Sequence, residues 1–105
     1  MKGLFSILVM AVGPAMVFAT VGHRFCLCQY QKDDFANGIT EKVCKSYNPA
    51  GSVQSFTGAP HIGDKYCESP DNDHCFTSDT FETQCNAQGA GGGPNCWGEC
   101  YPNRS

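Results

Sequence analysis

The chain has 105 residues, eight of them cysteine, and a formal net charge of −3. Lytic antimicrobial peptides and nucleic-acid-binding proteins need clustered Lys and Arg to attract anionic lipid or phosphate. Beyond Lys2, six basic side chains are scattered among ten acidic ones, so neither a membrane nor a nucleic acid is an expected partner. A cysteine content this high in a short chain is typical of a disulfide scaffold.

Residues 1–19 are predicted to be a signal peptide. Lys2 precedes an apolar run from Leu4 to Val12, which is followed by a Gly-Pro pair and by small residues up to Ala19. A positive charge, a short apolar run and small residues, in that order, indicate secretion, and the run is too short to span a bilayer. We therefore expect cleavage after Ala19 and a single, monomeric, cysteine-rich extracellular domain over residues 20–105.

The segment from Val21 to Tyr30 is predicted to be a strand. Successive side chains of a strand point to opposite faces, so Cys26 and Cys28 share one face while Phe25 and Leu27 share the other. Two cysteines spaced in this way are splayed too far apart to bond each other comfortably. The strand is therefore expected to be joined to two different partners.

Two short helices are predicted further along the chain. Asn37-Gly38 indicates a turn, and Thr40 is the predicted N-cap of a helix over Thr40–Tyr47. Asp79, with a glutamate three residues later, has the spacing of a capping box at the start of the second helix. Gly89 is the predicted end of that helix.

Three further strands complete the predicted elements. Ser52–Thr57 and Lys65–Glu68 are separated by a Gly-Ala-Pro turn, and Asn95–Tyr101 forms the closing segment. The expected fold class is therefore α+β: a small disulfide-stapled domain in which a short antiparallel sheet packs with one or two short helices.

The cysteines are expected to form four disulfide bonds with no free thiol, because their number is even and the predicted destination is oxidising. The spacing does not choose among the many possible pairings, but we expect the first strand to be tied to the Cys96/Cys100 region and to one helix. Short Cys pairs are also common zinc ligands, yet a second ligand pair at matching spacing is missing, so no metal is expected. The eight residues are Cys26, Cys28, Cys44, Cys67, Cys75, Cys85, Cys96 and Cys100.

No catalytic residue and no cofactor is assigned. A small secreted ribonuclease needs a Glu, a His and an Arg in one cleft, and such a set can be named in almost any chain of this length. The members available here are Glu68, Glu82, His61, His74 and Arg24. The Gly-x-Ser-x-Gly turn of a serine hydrolase is missing from the sequence. Binding is therefore expected rather than catalysis.

Trp97 and Tyr101 are the candidate binding surface. They lie beside Cys96 and Cys100, and aromatic side chains held near a surface by disulfides can stack on sugars or anchor a protein contact. The alternative role for Trp97 is to cover a small hydrophobic core.

The segment from residue 23 to residue 47 carries a family resemblance. It contains Phe25-Cys26-Leu27-Cys28-Gln29-Tyr30, then an acidic turn, then Thr40-x3-Cys44. In this it resembles the small secreted cysteine-rich proteins of filamentous fungi, many of which are effector candidates of plant-associated species. The acidic turn contributes Asp33, Asp34 and Asn37.

The resemblance implies secretion into the host apoplast or host interface, and a virulence-type role in binding a host protein or a cell-wall glycan. Three other functions stay open from the residues. They are a small secreted hydrolase of the ribonuclease type, a carbohydrate-binding module and a killer-toxin-like antimicrobial protein.

Overall fold

A computed structural model of the chain describes residues 22–101, so the predicted signal peptide lies outside the described residues. Within that range the chain forms five strands and two helices. In chain order they are β1 (Gly22–Gln31), β2 (Asp34–Phe35), α1 (Asn37–Ser46), β3 (Ser52–Ser55), β4 (Lys65–Glu68), α2 (Ser78–Ala87) and β5 (Pro94–Cys100). This confirms the predicted α+β class.

Strand β1 is the centre of an antiparallel sheet, because it pairs with β2, β4 and β5. Both β4 and β5 pair with β1 at Phe25 and Cys26, so they must lie along its two opposite edges. Strand β3 then pairs with β4 and extends the sheet on that side. The segment that the sequence identifies as alternating is therefore the one around which the other strands are arranged.

The four disulfides join the sheet to the helices and to its own last strand. Cys26 bonds Cys96 across the β1–β5 pair, and Cys28 bonds Cys85 on α2. The expectation that the first strand is tied to the C-terminal region and to one helix is thus confirmed. The two remaining bonds, from α1 to β4 and from the 69–77 loop to the end of β5, are Cys44–Cys67 and Cys75–Cys100.

The hydrophobic core lies between the two helices and one face of the sheet. Cys26 and Cys28 point into it from β1, and both are fully buried. Phe76 and Phe81 pack edge to face with ring centroids 5.3 Å apart, and Tyr47 packs against both. The sulfur atoms therefore occupy the positions that larger aliphatic side chains would fill in a longer chain.

Helix α1 begins earlier than predicted, because Thr40 is not its N-cap. The helix starts at Asn37, after Ala36, which makes no capping hydrogen bond through its side chain. The Thr40 hydroxyl is fully buried and accepts from the Cys28 amide at 2.9 Å while donating to the Ala36 carbonyl at 2.8 Å. The hydroxyl therefore joins β1 to the first turn of α1 and caps no amide of the helix.

Helix α2 also begins earlier than the predicted capping box at Asp79. Thr77 is the N-cap, and its hydroxyl accepts a hydrogen bond from the Thr80 amide at 3.4 Å. Asp79 lies inside the first turn, where the positive end of the helix dipole stabilises its negative charge. The predicted end is confirmed, since Gly89 follows the C-cap with a φ of 105°.

Stability will fall at alkaline pH because of Tyr47. Burial raises the pKa of this phenol from 10.0 to about 12, and its hydroxyl has no hydrogen-bond partner among residues 22–101. Between pH 10 and 12 the unfolded chain loses the proton while the folded chain keeps it, so the folded state loses stability as the pH rises. Urea midpoints measured across this window will decline for the native chain and less steeply for Tyr47→Phe. Equal slopes in the two proteins would contradict this assignment.

Candidate binding site

The face of the sheet that points away from the helices carries a row of rings. On β1 and β5, Phe25 and Trp97 are register partners, and their rings stack at 5.6 Å with an interplanar angle of 23°. The Trp97 ring also stacks on Phe56, with a centroid distance of 5.9 Å and an interplanar angle of 30°. The Phe56 and Phe35 rings are tilted to each other, with centroids 5.9 Å apart. The row ends at His61, which stacks on Phe35 at 3.9 Å. We call these five side chains the aromatic row; all of them are half-buried.

Strand alternation explains why the row and the core are on different faces. Cys26 and Cys96 are one residue away from Phe25 and Trp97 on the same two strands, so they point to the opposite side of the sheet. Tyr66 on β4 packs edge-on against Phe25 at 5.8 Å and supports the row from beside it. Trp97 therefore packs outside the core cluster of the helix-covered face.

Gly98 allows the Phe25 ring to approach the β5 backbone closely. Its φ is 77°, in the left-handed region that favours glycine. A Cβ atom at this position would lie 2.7 Å from the Phe25 ring. The ring thus packs on bare backbone immediately after Trp97.

The β3–β4 loop positions His61 through a set of polar contacts. The His61 Nδ1 atom lies 3.0 Å from the Asp64 carboxylate, and the Asn37 amide donates to the same carboxylate at 2.9 Å. The Asn37 side chain also accepts from the Lys65 amide, which ties the start of α1 to the start of β4. These hydrogen bonds, from Asn37 first and then from His61, lower the pKa of Asp64 below its ordinary value.

A cleft of about 330 Å³ opens over four of the five rings of the aromatic row, from Trp97 to His61. Two polar side chains complete its wall: Asp33, in the β1–β2 turn with a φ of 64°, and Asn95 on β5. Neither side chain makes a hydrogen bond within residues 22–101. The residues lining the cleft are Asp33, Phe35, Phe56, His61, Asn95 and Trp97.

The second polar cluster surrounds Arg24 and stabilises the loop after β4. The guanidinium donates to the Ser69 hydroxyl at 2.7 Å and to the Ser69 carbonyl at 3.2 Å, and it lies 3.5 Å from the Glu68 carboxylate. In the same loop the His74 ring is 2.7 Å from Asp71, and this hydrogen bond lowers the pKa of Asp71. Arg24 is thus engaged in holding the loop.

The structure separates several residues that the sequence grouped. Trp97 lines the cleft, whereas Tyr101 lies outside it and donates its hydroxyl to Glu99 at 2.8 Å. Of the members weighed for a ribonuclease-like set, His61 alone lines the cleft. Among residues 22–101, no group of three His, Cys, Asp or Glu side chains is placed to hold a metal ion.

Phe35, Phe56, Asp33 and Asn95 were not predicted from the sequence to be residues of the site. Each lies in or beside a turn or a short strand, and the cleft forms only when the β1–β2 turn, the β3–β4 loop and β5 come together. The alternation of β1 does identify the outer face through Phe25, and a search for other rings flanking turns would have found Phe35 and Phe56.

Comparison of the chain with protein-family models, with curated proteins and with solved structures found no match. Within residues 22–101, no helix has both the length and the apolar character needed to cross a membrane. What the fold defines is a small disulfide-rich protein with four bonds in its described part.

Proposed function

We propose that the chain is a secreted binding protein of the fungal effector type, which acts outside the cell at a host interface and has no catalytic role. The single observation that carries this proposal is the open aromatic cleft on a sheet held by four disulfides. Ligand sites are typically concave and lined by apolar and aromatic side chains with a few polar groups. The cleft has both the size and the composition of such a site.

The polar groups near the cleft favour binding over catalysis. The Asp64 carboxylate, which contacts the His61 ring, also accepts a hydrogen bond from the Asn37 amide. No Ser, Thr or Cys side chain lines the cleft to serve as a nucleophile. Among the other candidates, Arg24 is held by Ser69 and Glu68, and His74 is paired with Asp71.

The proposal is tested by following the native protein during growth on a host. We expect the tagged chain to appear in the medium, with an intact mass eight hydrogens below that of the reduced chain, and to be induced on host contact. Constant expression in axenic culture with none induced on a host would count against an effector role. Retention inside the cell, or four or more free thiols, would contradict secretion as an oxidised protein.

A small secreted hydrolase is the second candidate, favoured by the pairing of His61 with Asp64 at the cleft. A His ring oriented by a carboxylate is the arrangement of a general base. Incubation with RNA and with cell-wall polysaccharides, followed by analysis of the released products, distinguishes the two functions. Turnover that disappears in His61→Ala would establish the hydrolase and overturn the binding-only proposal.

A further inference from the structure

We propose that the aromatic cleft binds an uncharged glycan chain, with sugar rings stacked along the aromatic row. This inference rests on the proposed binding function and names the chemistry of its ligand. Four of the five rings of the aromatic row line the cleft, namely those of Trp97, Phe56, Phe35 and His61. They give the cleft a continuous apolar wall against which an apolar face of a ligand can pack.

A pyranose ring has an apolar face that can pack against the aromatic side chains of the cleft. One or both of its faces consist of C–H groups, which pack on an aromatic face, while its hydroxyls project around the edge. Trp and Tyr are effective in such contacts because they present large apolar surface at small entropic cost. The cleft is also open to solvent, so a sugar chain can enter and leave it.

The polar side chains of the cleft match hydroxyl groups. The Asp33 carboxylate and the Asn95 amide have no hydrogen-bond partner within residues 22–101, and both line the cleft. The Asp33 carboxylate offers acceptor oxygens, and the Asn95 amide can both accept and donate. A ligand with several hydroxyl groups, each a donor and an acceptor, satisfies both side chains.

Charge excludes anionic ligands from this site. The cleft contains the Asp33 carboxylate, and the Asp64 carboxylate lies directly behind His61. Neither Lys nor Arg lines the cleft. Phosphates, nucleic acids and acidic polysaccharides would be repelled, so the expected ligand is an uncharged glycan.

The test is calorimetric titration of the native, oxidised protein with chitohexaose, laminarihexaose and polygalacturonate. We expect one of the two uncharged hexasaccharides to bind and polygalacturonate not to bind. Trp97→Ala should weaken binding about tenfold, the effect of losing one good aromatic contact. Asp33→Asn should also weaken it, and asparagine tolerates the left-handed backbone at this turn.

Tyr30→Ala is the matched control, because Tyr30 is an aromatic side chain that is 53% exposed and lies outside the cleft lining. The Tyr30→Ala variant should bind the hexasaccharide with the same affinity as the native chain. Near-ultraviolet circular dichroism checks that each variant is folded, and Phe35→Leu, which keeps an apolar side chain, replaces Trp97→Ala if that variant does not fold. In the native chain, fluorescence of the single tryptophan should change on binding.

Three results would overturn the glycan proposal. They are no binding of either hexasaccharide by the folded native protein, binding that Trp97→Ala and Asp33→Asn leave unchanged, and binding of tetramethylammonium by a native protein that binds neither hexasaccharide. The last result would identify the cleft as a cation site, since aromatic faces next to a carboxylate also attract quaternary ammonium groups. None of the three affects secretion or host induction, so failure here is distinguishable from failure of the proposed function.

Discussion

Replacing Cys28 and Cys85 together by alanine will lower the free energy of unfolding by about 4 kcal/mol, because the bond closes a long loop that the unfolded chain must otherwise explore. The two residues are 57 apart in sequence, and both are fully buried between β1 and α2. Loss of the packed sulfur atoms adds a cavity cost to the loss of the cross-link. Urea unfolding at neutral pH measures the change.

The matched control is the double replacement of Cys75 and Cys100, whose bond spans 25 residues and whose Cys75 end is only partly buried. On the chain-entropy model this bond contributes about 3.5 kcal/mol, and less core packing is lost with it. We therefore expect the control to retain more stability. A control that is less stable than the Cys28/Cys85 variant would show that the join between sheet and helix is not the main cross-link of the core.

Gly51→Ala will destabilise the fold by about 3 kcal/mol, at the upper end of the usual cost of overpacking. A Cβ atom at this position would lie 2.5 Å from the Cys67 sulfur, 2.9 Å from the Cys44 sulfur and 2.9 Å from the Glu68 carbonyl oxygen. All three atoms are fixed, two by the disulfide and one by the β4 backbone, so the structure has no flexible side chain that can move away. Thermal and urea unfolding of the oxidised protein measure the loss.

Gly38→Ala is the control for Gly51→Ala: the substitution is the same, but we expect it to raise stability instead of lowering it. Gly38 lies in the first turn of α1 and has no atom within 4 Å of a built Cβ. Alanine favours helix over glycine by up to about 1 kcal/mol, so this variant should be slightly more stable than the native chain. If both variants lost stability to a similar extent, close packing against the Cys44–Cys67 bond would not be the cause at Gly51.

The central strand and the shared face of its two cysteines follow from local sequence pattern. The alternation over β1 is strong enough to predict which side chains share a face, and the structure places Cys26 and Cys28 in the core as that pattern requires. Strand β4 begins and ends where predicted, and β3 is only shorter than expected. These features depend on residues that are neighbours in sequence.

The predicted start of α1 was wrong because contacts with distant segments override the local sequence signals. Asn37 and Gly38 are typical turn residues, yet they begin α1, where the Asn37 side chain bonds both Asp64 and the Lys65 amide. Thr40 is a good N-cap by composition, but its hydroxyl is used by β1. Neither partner can be identified without knowing which distant segments pair.

The cleft could be predicted only in part. Trp97 was identified from its position beside Cys96, but its stacking partner Phe25 is more than seventy residues earlier in the chain and meets it only through strand pairing. Phe35 lies on β2, whereas Phe56 and His61 lie in the loop between β3 and β4. A site built from β2, the β3–β4 loop and β5 has no contiguous sequence signature.

The Cys26–Cys96 bond lies directly beneath the Phe25–Trp97 pair, one residue along each strand and on the other side of the sheet. The cross-link that fixes the alignment of β1 and β5 therefore also fixes how the two outer rings meet. A reducing compartment would remove this bond and loosen the alignment of the two rings. The redox environment therefore decides whether the outer surface keeps its shape: oxidising conditions preserve the aromatic row as described, and reducing conditions free the two strands that carry it.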